Sequence, residues 1–404
     1  LLNSKAKFVV AIFLIVFVGM MGTSLLAPLI PFYAARLGLT PEYITVIIGF
    51  YALCQFVAAP IWGQLSDRFG RKPVLLMTSL GQCLAFVMLA FADNVWLLIL
   101  SRAIGGICAG NLATAYAYVT DITTPENRSA GMGKVGAAFG LGFVLGPALG
   151  GFLAGGDNLM TANFLAPALV AASIAGLAFV CATFFLKESR KIDPNARRKK
   201  ASLNPFGRFD VVAGNPGLLL VLVLAFLLLL ASAVREATIA LWVHDQFELT
   251  SQQLGFLFAY TGLIITALQG AVLGGLSKRF GEENVLIFGI IAYGAGLASF
   301  VLFQNYPSLI MGTTLNAIGT AVFSNALPTV SSKMAKADQR GLVLGVYQST
   351  GSLARFIGPS FAGAIYAHIA ITAPFGVGAA FLVIGLILAF IIRRQIAASR
   401  QVTH

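Results

Sequence analysis

Twelve times along its 404 residues this chain runs apolar for roughly the 20 residues that a helix needs to cross a bilayer. The runs fall at 8–31, 43–65, 73–92, 95–119, 131–154, 162–186, 216–243, 252–275, 284–303, 307–330, 341–366 and 373–392. Charged residues or Pro/Gly breaks separate them. No stretch alternates apolar with polar residues as a membrane β-strand does, so the pattern predicts helices and not a barrel. The expected class is an all-α membrane protein with 12 transmembrane helices. Composition agrees: 58% of residues are hydrophobic and 10% charged, against about 45–50% and about 25% in soluble domains. The first run, "FVVAIFLIVFVGMMGTSLLAPLIPF" from Phe8, is too long for a signal-peptide core and lacks a clear cleavage site, so it reads as a retained helix. The chain opens on Leu1, which is what a missing start segment would leave.

Charge placement tests the count. With the N-terminus inside, twelve spans put Lys5, Lys7, Arg68, Arg71, Lys72, Arg128, Lys134, the 187–208 cluster, Lys278, Arg279, Lys333, Lys336, Arg340, Arg393, Arg394 and Arg400 on the cytoplasmic side. Only Arg36 falls outside, with Glu42, Asp93, Asp157 and Glu248. Cytoplasmic loops carry the Lys/Arg excess of membrane proteins, so both termini are expected in the cytoplasm. The net charge of +12 is then a topology signal, and nucleic acid is not an expected partner. The polar stretch 187–215 reads as a cytoplasmic linker between halves 1–186 and 216–404. Its Arg197–Lys200 run is placed to touch anionic headgroups, although a solvated loop is the plainer reading.

Cys54, Cys83, Cys108 and Cys181 lie in apolar runs without CxxC spacing and read as small buried hydrophobes. The three histidines form no ligand cluster, so neither metal nor cofactor is expected. No nucleophile–base pair or phosphate loop stands out. "GLGFVLGPALGG" is glycine-rich but follows no strand and is not a dinucleotide fingerprint. An enzyme is not expected.

The chain repeats itself. "GQLSDRFGRK" at 63 has an echo, "GGLSKRFGEE", at 274. "ENRSAGMGKVGAAFGLGFVLGPALGG", ending at Gly151, matches "DQRGLVLGVYQSTGSLARFIGPSFAG", ending at Gly363. Arg128 pairs with Arg340, Gly133 with Gly345, and Gly146-Pro147 with Gly358-Pro359. Two unrelated motifs repeating at nearly one offset, 211 and 212 residues, argue for two homologous, pseudo-symmetric six-helix bundles. Parallel repeats with a site near the midplane between them are a transporter architecture.

These residues resemble the major facilitator superfamily. "GQLSDRFGRKPVLL" is similar to its loop 2–3 signature. Gly133, Gly142, Gly146, Pro147, Gly150 and Gly151 match the fifth-helix signature of proton-driven drug antiporters. Arg102 and Gly105 in "LLILSRAIGGICAG" resemble its fourth-helix Arg-x-x-Gly motif. The likeness covers nearly the whole chain and is greatest to tetracycline-efflux and related multidrug pumps. It implies the superfamily fold, alternating access, a bacterial inner membrane and a monomer in the bilayer. It also implies export of small amphipathic compounds in exchange for protons. Helices 1 and 10 carry no acid; the tetracycline pumps carry one in helix 1, which points away from tetracycline as a magnesium chelate.

The resemblance assigns a conformational latch to Gly63, Asp67, Arg68, Gly70, Arg71 and Lys72, with Arg128 a partner of Asp67 by position; a bare topology signal is the plainer reading. In the second copy Lys278 replaces the Asp, and Glu282 and Glu283 replace the basic pair. The helix-5 glycines make a small face that allows close helix approach, and Pro147 allows a bend, so a hinge or seal is expected beside ordinary packing.

Ionisable groups inside a bilayer are costly and face a partner or a cavity. Arg102, Arg235, Glu236 and Arg355 lie within spans. Glu236 is the only acid deep in any of them and is the candidate for proton exchange; some related antiporters keep an acid in helix 7. By resemblance Arg102 helps set that coupling. A structural ion pair is the alternative for each. Neighbours on a helix point apart, so one of Arg235 and Glu236 is expected to face the cavity while the other packs elsewhere. Further candidate lining residues are Tyr51, Gln55, Asn111, Tyr116, Gln269, Asn316, Asn325, Tyr347 and Gln348, with interhelical hydrogen bonding as the alternative role. Three arginines against one glutamate also suit a carrier of an organic anion, a metabolite or siderophore. A lipid-handling or non-transporting protein on the same scaffold is the third reading, since fold does not fix function.

Overall fold

The computed structural model describes residues 13, 16–22, 24–26, 29–122, 128–155, 163–189, 215–334 and 340–402. All regular structure among them is helical. The elements are α1 (Val16–Leu26), α2 (Ile30–Arg36), α3 (Pro41–Phe69), α4 (Arg71–Ala90), α5 (Val95–Ala109), α6 (Leu112–Ile122), α7 (Arg128–Ala154) and α8 (Leu165–Phe185). Then come α9 (Pro216–Phe247), α10 (Ser251–Ala267), α11 (Leu273–Phe280), α12 (Glu282–Leu302), α13 (Tyr306–Lys333), α14 (Arg340–His368) and α15 (Ala373–Val402). A π-helical turn, Leu268–Val272, joins α10 to α11.

Each of the twelve sequence runs meets one helix or one interrupted helix. Among the described residues seven helical stretches are long and apolar enough to cross a membrane, and α1 with α2, bent by 41°, makes an eighth if the pair is one span. Asparagines start three of the spans by capping their first turns. Asn94 Oδ1 accepts the Leu97 N–H at 2.9 Å, Asn215 Oδ1 the Leu218 N–H at 3.2 Å, and Asn305 Oδ1 the Ser308 N–H at 2.9 Å.

The fourth run, expected as one helix over 95–119, is broken. α5 stops at Ala109 and α6 begins at Leu112. Gly110 lies so close to α3 that a Cβ would stand 2.9 Å from the Ala59 nitrogen. Carbonyls at the end of α5 find side-chain donors. Gln55 Nε2 donates to Ala109 O at 3.2 Å, and Trp62 Nε1 donates to Ile107 O at 2.6 Å. Irregular backbone survives in a span only when its polar groups are satisfied in this way.

The described residues cluster into two compact units. One holds those of Leu1–Leu39, Phe50–Leu203 and Leu249–Ala259, the other those of Thr40–Gly49, Asn204–Glu248 and Tyr260–His404. In the first, α4 packs on α5 and α8. In the second, α12 packs on α13 and α15, and α9 packs on α14 and α15.

The glycines of α7 explain one seam of the first unit. A Cβ on Gly142 would stand 2.7 Å from Phe17 O; on Gly146 it would collide with Ser24 Oγ, and on Gly150 with Leu25 O. These three lie four residues apart and form one face laid against α1. Ser24 Oγ crosses the seam to Gly142 O at 2.8 Å. Gly151 points elsewhere: its Cβ would lie 2.8 Å from Gly255 Cα in α10. Its repeat counterpart Gly363 meets α3 in the second unit, where a Cβ would lie 2.8 Å from Glu42 Cα. Beside that contact His368 Nε2 and Glu42 Oε1 stand 2.9 Å apart.

Overpacking costs about 1–3 kcal/mol. Gly146→Val is therefore expected to lower the midpoint of thermal unfolding in detergent. Gly63→Ala, at a helical position with nothing within 4 Å, is expected to leave it unchanged or raise it, since Ala is favoured over Gly in a helix by about 1 kcal/mol.

Candidate transport and coupling site

Around the loop 2–3 signature, charge is organised by Arg71, which is 8% exposed. Its Nη1 donates to Asp67 Oδ1 at 2.8 Å and Ser66 Oγ at 2.7 Å, and its Nε donates to Asp121 Oδ2 at 3.1 Å. The start of α4 is capped from a distance. Glu188 accepts the N–H groups of Arg71 at 2.8 Å and Lys72 at 3.1 Å, placing a carboxylate at a helix N-terminus, where the helix dipole favours it. Gly70 permits this with φ +103°, and a Cβ there would collide with the Glu188 carboxylate. Lys72 Nζ donates to Thr183 O at 2.8 Å, Ser189 Oγ donates to Asp121 Oδ2 at 3.1 Å, and Arg68 stacks on Phe69 at 5.1 Å. Asp67 thus meets Arg71, four residues on; the side chain of Arg128 lies outside the described residues. Sequence reasoning missed Asp121 and Glu188. The available signal was an acid just past the end of the fourth span and another just past the sixth.

In the first unit Arg102 is 6% exposed. Its guanidinium lies 5.6 Å from the ring centre of Tyr51, a cation–π distance. Nε and one Nη have no hydrogen-bond partner among the described residues. Asn111 Nδ2 donates to Thr78 Oγ1 at 2.6 Å, and Gln55 holds the end of α5 as described. The Tyr116 side chain lies outside the described residues, as do the surroundings of Gly133.

In the second unit Arg235, 7% exposed, donates from Nε to the Tyr293 hydroxyl at 3.1 Å. Glu236 is different: its side chain is 45% exposed, while residues 230–235 and 237–243 are all buried. Ser232 Oγ donates to its Oε1 at 3.1 Å. The neighbours diverge in burial, yet the long arginine arm brings Nη2 back to 4.0 Å from Oε1. Tyr293, 58 positions away, was not among the expected residues.

Arg355 is half-buried and donates from Nη2 to Ser352 Oγ at 3.2 Å; Tyr347 is buried and Gln348 exposed on the same helix. Gln269, in the π-helical turn, donates to Ser324 Oγ at 2.9 Å. Asn316 is buried and donates to Gly312 O at 2.8 Å, where it acts as packing between α12 and α13. Asn325 is exposed. No cluster of His, Cys, Asp and Glu among the described residues could hold a metal ion.

Long apolar helices, a duplicated six-helix plan and a handful of charges inside the spans define a polytopic membrane transporter. The Major Facilitator Superfamily family model matches residues 12–272 and 226–403, and the chain belongs to that family. It is 33% identical over 334 residues to the class C tetracycline resistance protein of Escherichia coli, covering 81% of each chain. It is 28% identical over 377 residues to multidrug resistance protein 2 of Bacillus subtilis (strain 168), covering 92% of this chain and 91% of that one. The human organic anion transporter MFSD10 (TETRAN) has the same fold, with a TM-score of 0.72 at 24% identity over 96% of this chain and 100% of that one.

Losing a helix-capping side chain costs about 0.5–2 kcal/mol. Glu188→Ala is expected to lower the thermal midpoint. Gly70→Ala is expected to lower it too, because it adds left-handed backbone strain to the collision. Circular dichroism melts of both variants check this.

Proposed function

We propose that this protein is a proton-coupled exporter of small amphipathic compounds working by alternating access. One observation carries the reading: Glu236 is the single exposed position in an otherwise buried stretch of a membrane-spanning helix. A carboxylate at that depth is not stable against lipid, so its open side faces water. Water contact gives a proton a route to and from its carboxylate, whose Oε1 also meets Ser232 Oγ and Arg235 Nη2. Substrate and proton then compete for it. The naming of two relatives for tetracycline and multidrug resistance supports export of drug-like compounds.

The halves 1–186 and 216–404, joined by the 187–215 linker, act as the two moving bundles. The Asp67–Arg71–Asp121 cluster serves as the latch. The glycine contacts of α7, at Gly142, Gly146, Gly150 and Gly151, serve as its seal, with Pro147 as its hinge position. The protein works as a monomer in a bacterial inner membrane, with both termini in the cytoplasm. A second reading, transport of an organic anion, is favoured by the buried Arg102 guanidinium, which has no acidic partner among the described residues, together with Arg355.

Proteoliposomes with an imposed pH gradient test the proposal. Wild type is expected to move ethidium with proton counterflow. Glu236→Gln is expected to bind the dye while losing at least tenfold in gradient-driven transport. Full gradient-driven transport by the variant would remove Glu236 from coupling. Indifference to cationic dyes, with transport of organic anions, would select the second reading.

A further inference from the structure

The fourth span breaks inside the first unit, and the break meets a cavity bounded by α1, α4 and α8. Ala109 and Asn111 line it from the two sides of Gly110. On α4, Ser79 lines it beside Thr78 and Gln82. It offers about 50 Å³ to the centres of water-sized groups. One water takes roughly 10–15 Å³ on that measure, so about three or four such groups fit. Acetate or propionate is of that size. Among the described residues no Asp, Glu, Lys or Arg lines it.

The break sorts backbone acceptors from donors. Carbonyls at the end of α5 are taken up by α3, where Gln55 donates to Ala109 O and Trp62 to Ile107 O. The start of α6 has no matching set of acceptors. Thr114 and Ala115 donate to Asn111 O at 2.9 and 3.1 Å. The N–H groups of Asn111, Leu112 and Ala113 come before them, where a helix has no carbonyl of its own to offer. The Asn111 side chain is turned to α4, donating to Thr78 Oγ1 at 2.6 Å. Buried donors left in this state are costly.

A second, independent observation lies across the cavity. Ser79 is 7% exposed, and its hydroxyl has no hydrogen-bond partner among the described residues. Thr78 is already engaged, donating to Val74 O at 2.9 Å while it accepts from Asn111. The open positions at this site are therefore donors, and the start of α6 adds the positive end of a helix dipole. Such an end is a ready anion site, and broken helices in transporters aim it at anionic groups. The remaining walls, among them Met20, Leu75 and Ala178, are apolar.

We infer that this cavity binds a small monocarboxylate, with its oxygens on the start of α6 and on Ser79 and its short alkyl end against Met20 and Leu75. The ligand supplies the acceptors that the broken helix lacks. The inference is independent of the exported compound and of the role given to Glu236.

Ligand-observed NMR with propionate tests it, on the whole protein in detergent at constant ionic strength. Wild type is expected to show saturable binding in the millimolar range. Ser79→Ala is expected to weaken it roughly tenfold, the worth of one hydrogen bond to a charged group. Ala178→Leu, which fills the cavity, is expected to abolish it. Propionamide, of the same shape without the charge, is expected to bind more weakly. Octanoate is too long for the cavity and is expected not to compete. A thermal melt without ligand checks that each variant is folded; should Ala178→Leu fail to fold, Ser79→Ala decides. No saturable binding to wild type, or unchanged affinity in folded variants, would overturn the site. Equal binding of propionamide would overturn the selection of an anion, and competition by octanoate would replace a small acid with the head of a longer amphiphile. Failure of ethidium–proton exchange would sink the coupling proposal and leave this binding measurement intact.

Discussion

Arg235, buried in the middle of α9 and held by the Tyr293 hydroxyl at 3.1 Å, shows the constraint on which the rest of the molecule depends. Hydrocarbon offers a charge neither solvent nor counter-ion, so each ionisable group in a span must find a partner or reach water. The four such groups meet this demand differently. Arg235 takes a phenol. Arg355 takes Ser352 from its own helix. Glu236 takes Ser232 and stays open on its remaining side. Arg102, among the described residues, takes the face of Tyr51. The two least complete solutions, Glu236 and Arg102, are the groups with most to gain from water.

Close packing supplies the second layer. Hydrophobic burial does little to hold helices together in lipid, so small residues and crossing hydrogen bonds do it instead. The α7 glycines lie on α1 along a four-residue repeat, with Ser24 bonded across the seam. Gly151 and Gly363, equivalent in the duplicated sequence, each meet a helix start, at Ser251–Gly255 and Pro41–Thr45 respectively. A glycine contact of this kind involves no side chain that must be displaced when helices separate, which suits a joint that opens and closes.

The helices were legible because their signal is long and local. The run at 216–243 became Pro216–Phe247, and 284–303 became Glu282–Leu302. The break after Ala109 was not legible, since "GGICAGNLATAY" stays apolar through it and the cause is the approach of Ala58–Ala59 from another helix. The π-helical turn at Leu268–Val272 was hidden because "LQGAV" simply continues its helical run. Candidate site residues were legible singly but not in their pairings. Arg71 finds Asp121 across 50 positions, and Glu188 reaches back 117 positions to the Arg71 amide. Polar residues such as Thr78 and Gln82 gave no sequence signal above ordinary interhelical bonding, and only the cavity sets them apart.

The central claim is that substrate and proton compete at Glu236, and infrared difference spectroscopy on the purified protein tests it most directly. Adding ethidium to protein acidified until its carboxyls are protonated should bleach one protonated-carboxyl band, and that bleach should vanish in Glu236→Gln. A bleach that persists in the variant, or dye binding with no carboxyl change in wild type, would contradict the claim.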